Sequence, residues 1–182
     1  MKKFDMVLNK LNIKDYIKDA CKIQGIKDVK IYEADIVDSA MLSYPKKNMI
    51  YIDFNKIFEN PDTIMGLIWH EIGHMVLHKN VKKEYACNFK GMMKYEYEAT
   101  EWAMKYAIRI EDKDLYEDCR SLLNTLKEGE KKENKRIKTM NSVIEYLLSK
   151  GFEFGISDTY CKNGIVVKIE TVDNYTDNSK NK

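Results

Sequence analysis

The three histidines of the chain fall within one stretch, His70-Glu71-Ile72-Gly73-His74-Met75-Val76-Leu77-His78, whose opening reads H-E-x-x-H. On an α-helix, imidazoles four residues apart lie one turn above each other on the same face, so both can reach one tetrahedral Zn²⁺ at about 2.0 Å. A glutamate one position after the first histidine projects beside such an ion, where it can hold a water and take its proton. Residue types and spacing therefore point to metal-assisted hydrolysis, with His70 and His74 as ligands and Glu71 as general base.

Three specified positions are a short signature, and a polar helix face could carry them without chemistry. The surrounding sequence favours the chemical reading. Asn60-Pro61-Asp62-Thr63 reads as a helix start, with Asn60 as cap, Pro61 in the first turn and Asp62 facing the positive end of the dipole. Ile64, Leu67, Ile68, Ile72, Met75 and Val76 then recur at helical spacing, and Lys79-Asn80 gives a cationic last turn and a stop. Histidines inside so apolar a helix cost desolvation unless bonded, and one ion satisfies two of them.

A catalytic zinc needs a third protein ligand that leaves one position open. His78 lies about 12 Å of helix rise beyond His70, too far for all three rings to converge in a straight helix. A role at the helix end or in the cleft suits it better. Carboxylates remain. The segment from about Lys94 to Ile110 reads as a second helix, with Ala99, Trp102, Ala103, Tyr106, Ala107 and Ile110 on one face packing against the first. Helix phase favours Glu98, which shares the face of Ala99 and Trp102; Glu101 points with Lys105 and Ile108, and Glu96 has an ordinary dipole role at the helix start.

The remaining elements form a frame for these two helices. Phe4 to Leu11 and Tyr16 to Ile23 read as one or two amphipathic helices closed near Gly25. Val29 to Ala34 alternates as a strand. Ala40 to Tyr44 and Met49 to Asp53 read as two more, joined through Pro45-Lys46-Lys47-Asn48 as a hairpin directly before the histidine helix. Residues 80 to 93 read as an irregular connection with Gly91 as a breaker. Beyond it, Leu115 to Leu126 and Ile137 to Leu148 mark a third and a fourth helix, the latter ending at Gly151. The charge run Lys127 to Lys138 between them reads as a solvated helix face or linker. Asn163-Gly164 between Thr159-Tyr160-Cys161 and Ile165-Val166-Val167 signals a type I′ hairpin, and the polar tail from Asp173 is expected to be disordered.

Composition bounds the function classes. At 182 residues the chain holds one catalytic core at most, and no apolar run approaches the roughly eighteen residues of a membrane span. The charged start Met1-Lys2-Lys3-Phe4-Asp5 lacks the apolar region of a secretory signal. Cys21, Cys87, Cys119 and Cys161 form no C-x-x-C pair and fit reduced thiols, so a cytoplasmic protein is expected. Cys87 reads as a small apolar residue rather than a ligand. Net charge is only +2, and three of the 31 basic residues are arginine, so no direct nucleic-acid contact is expected.

His70 to His78, followed by Glu96-Tyr97-Glu98-Ala99-Thr100-Glu101-Trp102-Ala103, resembles the ImmA/IrrE family of metallopeptidases, with its H-E-x-G-H-x-x-L-H and E-x-E-A-[ND]-x-F-A patterns. The resemblance covers roughly residues 45 to 110. It implies a small zincin-like core in an α+β fold, with His70, His74 and Glu98 binding zinc and Glu71 catalytic. Thr100 stands where the family has Asn or Asp, exchanging an amide or carboxylate for a hydroxyl, and Trp102 stands where it has Phe. Members are commonly encoded on prophages and mobile elements and act with a repressor that they cleave or cause to be cleaved.

The expected protein is thus a cytoplasmic zinc endopeptidase acting on a protein substrate, a transcriptional regulator. Residues 1–111 would form the metallopeptidase domain, 112–172 a helical and hairpin extension of the same compact unit, and 173–182 a tail. Donors for the developing oxyanion could come from His78, Tyr51, Tyr85, Tyr95 or Tyr97. Met49 to Asp53 could pair with an extended peptide if it forms the sheet edge. The alternatives are a protein-binding antirepressor with a structural or vestigial metal site, against which the intact Glu71 argues, and a small-molecule metallohydrolase.

Overall fold

A computed structural model describes residues 9–37, 39–80, 89–151, 153–154, 159–162 and 165–168. The fold is α+β and mostly helical. Its contacts divide the chain into two compact units, residues 1–128 and 129–182. None of the described helices is long and apolar enough to cross a membrane.

In the first unit, helix α1 (Lys10–Ile23) is followed by strands β1 (Lys30–Glu33), β2 (Met41–Tyr44) and β3 (Met49–Ile52). Asn9 caps α1 by accepting from the backbone N–H of Asn12, and Gly25 closes it at φ 73°. That left-handed conformation is one glycine adopts without a Cβ clash. The sheet order is β1-β3-β2, with β3 central, parallel to β1 and antiparallel to β2. The β2–β3 hairpin thus forms as its alternation requires, with Asn48 left-handed at φ 48° in the connection. Met49 to Asp53, expected as a candidate edge, is instead the middle strand; β1 and β2 hold the edges.

One sheet face is core, where Met41, Ile50 and Ile52 are buried with Ile68 and Ile72 of the histidine helix and with Ile13 and Ile17 of α1. The opposite face carries an aromatic row, with Tyr51 stacked on Tyr32 and in edge contact with Tyr44, both at 5.4 Å between ring centroids. Period-2 alternation produces this division directly.

Asp53 ends β3 and starts helix α2 (Phe54–Glu59), which the sequence reading did not contain. Its buried carboxylate accepts from the backbone N–H groups of Asn55, Lys56 and Ile36. Burial opposes its charge, yet these donors and the Lys56 ammonium hold its carboxyl below the ordinary carboxylate range. The expected helix start at Asn60 is modified accordingly. Asn60 makes no side-chain cap, and Pro61–Thr63 form a 3₁₀ turn leading into α3 (Ile64–Leu77). Trp69 of α3 donates to the Tyr16 hydroxyl at 2.8 Å, tying α3 to α1; burial pushes that hydroxyl's pKa up to about 12.

Helix α4 (Phe89–Arg109) begins earlier than its periodicity suggests, with Gly91 inside it rather than breaking it. Its buried stripe is Met93, Ala99, Thr100, Ala103, Tyr106 and Ala107. Opposite that stripe α3 carries Gly73, where a Cβ would lie 2.6 Å from the Ala99 carbonyl oxygen. The two backbones are therefore in direct contact, and only hydrogen fits between them.

Helix α5 (Lys113–Ser149) joins the expected third and fourth helices into one, so the charge run between them is a helix segment rather than a linker; the division between the two units falls inside it. Ion pairs such as Glu133–Arg136 lie along its charged run. In the second unit, β4 (Glu153–Phe154), β5 (Thr159–Lys162) and β6 (Ile165–Lys168) form an antiparallel sheet with β5 in the middle. The expected hairpin partners pair as Lys162 with Ile165, while the turn residues Asn163 and Gly164, the tail from Asp173 and the leading Phe4 to Leu8 lie outside the described residues.

Gly73→Ala should lower stability by about 1 to 3 kcal/mol, the usual cost of overpacking a filled site. Urea unfolding followed by tryptophan fluorescence reads this unit directly, because Trp69 and Trp102 both lie in the α3–α4 layer. Gly129→Ala, where an added Cβ meets nothing within 4 Å, should leave that transition in place. An unshifted midpoint for Gly73→Ala would contradict the backbone contact.

Candidate metal centre

Helix α3 stacks His70, His74 and His78 along the side that faces the first turns of α4. At its centre the rings of His70 and His74 meet edge to face, with their Nε2 atoms 3.1 Å apart. The carboxylate of Glu96 closes a triangle, Oε2 lying 3.1 Å from His70 Nε2 and Oε1 lying 3.5 Å from His74 Nε2. Ligand atoms at about 2.0 to 2.1 Å from a tetrahedral zinc stand about 3.3 to 3.4 Å from one another. The observed edges match that spacing, and these residues form the cluster able to hold a metal among those described.

Donor bookkeeping supports the same reading. Thr100 donates its hydroxyl hydrogen to the Glu96 carbonyl at 2.8 Å, so its oxygen accepts from His70 Nδ1 at 2.8 Å. A neutral His70 then has no proton on Nε2, and a lone pair faces the carboxylate of Glu96. Acceptor against acceptor at 3.1 Å is repulsive unless positive charge sits between them. Burial resists a charge on His74, but the hydrogen bond to Glu96 and the negative charges of Glu71 and Glu96 outweigh it and raise the pKa of His74 above the ordinary imidazole value. Burial likewise resists ionisation of Glu96, yet the two imidazoles set against it, His70 and His74, hold its carboxyl well below the usual range. Both shifts report one property: the centre of this triangle attracts a cation. The residues present therefore fit a divalent metal.

Glu71 follows His70 directly in α3 and is buried at 4 % exposure. Its charge acts on His74. A carboxylate so placed is available to a water in the cleft.

The sequence reading placed Glu98 in the third-ligand position. The structure brings Glu96 there instead and sets Glu98 against His78, with Oε2 at 3.2 Å from its Nε2. The reason is the rotation of α4. Its contact with α3 is centred on the small residues Ala99, Ala103 and Ala107 and on Thr100, and Glu96 lies one turn before Thr100 on that side. The sequence favours Glu98 for sharing the face of Ala99 and Trp102 and gives Glu96 a dipole role at a helix start near Lys94, whereas α4 begins at Phe89 and carries Glu96 in its interior. The pairing of Glu96 with Thr100 at i, i+4 beside a run of alanines was the signal that could have identified both residues.

The proposed oxyanion donors are dispersed. Tyr51 belongs to the aromatic row on the sheet face opposite the core, away from the histidines. His78 has both nitrogens engaged, with His74 Nδ1 at 2.8 Å from its Nδ1 and Glu98 at its Nε2. Burial and the charge of His74 push its pKa below the ordinary value, against the pull of Glu98 and Glu96. Tyr95 packs its ring edge-on against His78 at 4.7 Å. Tyr97 is half-buried on α4, and Tyr85 and Cys87 lie outside the described residues.

No protein-family model, curated protein or solved structure matches the chain. The site therefore stands on its own geometry.

Glu96→Ala should abolish stoichiometric zinc binding in a titration of metal-stripped protein, whereas Glu101→Ala should leave it intact. Tight binding retained by Glu96→Ala would remove Glu96 from the ligand set.

Proposed function

We propose that this protein is an intracellular zinc-dependent endopeptidase of the ImmA/IrrE type, acting on a protein substrate such as the repressor of a prophage or mobile element. The observation that carries the reading is the convergence of His70, His74 and Glu96 at mutual distances of 3.1 to 3.5 Å with the buried carboxylate of Glu71 beside them. Three protein ligands leave a fourth position for water and substrate, as hydrolytic zinc sites require.

When bound, Zn²⁺ supplies a Lewis acid that polarises the scissile carbonyl and acidifies a water. The protein's own groups do the rest. Glu71 takes a proton from the attacking water as its oxygen bonds to the carbonyl carbon, then gives that proton to the leaving nitrogen as the C–N bond breaks. His70 and His74 hold the reacting centre, and Thr100 fixes the ring of His70. Edge strand β2 packs beside α3 and has one side free of β3, so it can accept an extended peptide by backbone pairing. The α3–α4 layer on this small sheet is consistent with a zincin-like core. The choice of a regulator as substrate rests on the resemblance of residues 70–78 and 96–103 to that family.

The test compares zinc-loaded wild type with Glu71→Gln on a library of peptides from a bacterial lysate, with new termini read by mass spectrometry. Wild type should generate a defined set of cleavages. Glu71→Gln keeps the size of the side chain but loses the base, so it should retain zinc while cleaving at least about 10² to 10⁴ times more slowly. Equal cleavage by both proteins would exclude Glu71 as base. No cleavage by loaded wild type would replace the enzyme with a metal-containing binding protein.

A further inference from the structure

We propose that His78 and Glu98 form a positioning pair that fixes the ring of His74 with its Nε2 lone pair directed into the triad. The inference rests on the reading of His70, His74 and Glu96 as metal ligands, and it concerns residues outside that ligand set.

Proton placement along this row follows from its donors and acceptors. Three groups stand in a row: the Glu98 carboxylate, 3.2 Å from His78 Nε2, and His78 Nδ1, 2.8 Å from His74 Nδ1. A carboxylate offers only acceptor oxygens, so a neutral His78 satisfies it by carrying its proton on Nε2. Its Nδ1 is then an acceptor. The contact with His74 at 2.8 Å is consequently a hydrogen bond only if His74 carries its own proton on Nδ1, which leaves Nε2 with a free lone pair. That nitrogen faces His70 and Glu96. The opposite arrangement puts an unprotonated His78 Nε2 against a carboxylate and a proton on the His74 nitrogen that must bind metal.

Packing holds the row in place. The His78 side chain is 8 % exposed, and Tyr95 lies edge-on against its ring. Lys94 sits 3.6 Å from the second oxygen of Glu98, on the far side of the carboxylate from the contact with His78 Nε2. The arrangement parallels the Thr100 contact that sets His70, so each ligand histidine has a dedicated partner at Nδ1. Metal-binding histidines usually need such a partner, and its removal typically weakens metal affinity by about 10- to 100-fold. His78 stands too far along the helix from His70 to join the ion. Its distance is what suits it to act on His74.

Three histidines in the whole chain make the test direct, since ¹⁵N-histidine labelling yields three imidazoles. Nitrogen chemical shifts and two-bond correlations identify each tautomer in metal-free protein at alkaline pH, where the rings are neutral. Signals are assigned by single substitution. His78 should carry its proton on Nε2 and His74 on Nδ1. His78→Phe keeps a packed ring without an acceptor; it should release the His74 tautomer and weaken zinc binding by about 10- to 100-fold. His78→Asn places an amide oxygen near the former Nδ1 and should restore most of both properties. A wild-type His78 protonated on Nδ1, or a His78→Phe protein that binds zinc as tightly as wild type, would overturn the pairing. Failure of the wild type to bind zinc would instead defeat the metal-centre reading, while the tautomers measured without metal would still decide the pair.

Discussion

The contact between Gly73 and the backbone of Ala99 is the constraint on which the centre depends. Helices packed through ordinary side chains stand about 8 to 10 Å apart. At Gly73 there is room only for hydrogen, the Cβ of any other residue falling 2.6 Å from the Ala99 oxygen. This approach brings α4 close enough for a glutamate and a threonine to touch imidazoles on α3. Ala103 and Ala107 continue the small-residue stripe, and the stacked rings of Trp69 and Tyr106, 3.9 Å between centroids, fill the space at the far end of the contact. The aromatic end and the small-residue centre together fix the rotation of α4.

That rotation concentrates electrostatic cost in one place. His70, Glu71 and Thr100 are buried, and His74 and Glu96 lie at the mouth of the same cluster. Burying ionisable groups costs several kcal/mol each unless they are paired. Here the Nε2 atoms of two imidazoles and a carboxylate converge, an arrangement that neutral rings cannot satisfy among themselves. The opposed shifts of His74, upward, and Glu96, downward, have the same origin. Apolar burial around them, from Ile68 and Ile72 on the same helix to Ile50 and Ile52 on β3, supplies the stability against which this polar cluster is maintained.

The frame is simple by comparison. Asp53 joins β3, the 35–37 segment and α2 through three backbone N–H groups, setting where the chain leaves the sheet. α1 closes the other side of the core through Ile13, Ile17 and the Tyr16–Trp69 bond. Cys21 and Cys119 are free and buried in this layer, and burial raises both thiols to about 12, so they act as small apolar residues.

Much of this was legible in the residues. The H-E-x-x-H spacing determined that His70 and His74 share a helix face, because the 3.6-residue period is a local property of the backbone. Alternation in residues 41–52 determined a hairpin with one apolar side. Gly25 and Gly151 marked helix ends. Other features were decided only when elements met. Which carboxylate reaches the histidines depends on how α4 turns about its axis. Periodicity alone favours Glu98, and the Gly73–Ala99 contact brings Glu96 to the histidines instead. The place of Met49–Ile52 in the middle of the sheet depends on β1 pairing with it from 16 or more residues away in sequence, which local pattern does not encode. The role of His78 also emerged from tertiary structure. Its type and its position one turn beyond His74 are written in the chain, but its engagement by Glu98 required a second helix to bring that carboxylate within 3.2 Å. Local periodicity sets which side chains share a face; only packing between elements sets which groups on two faces meet.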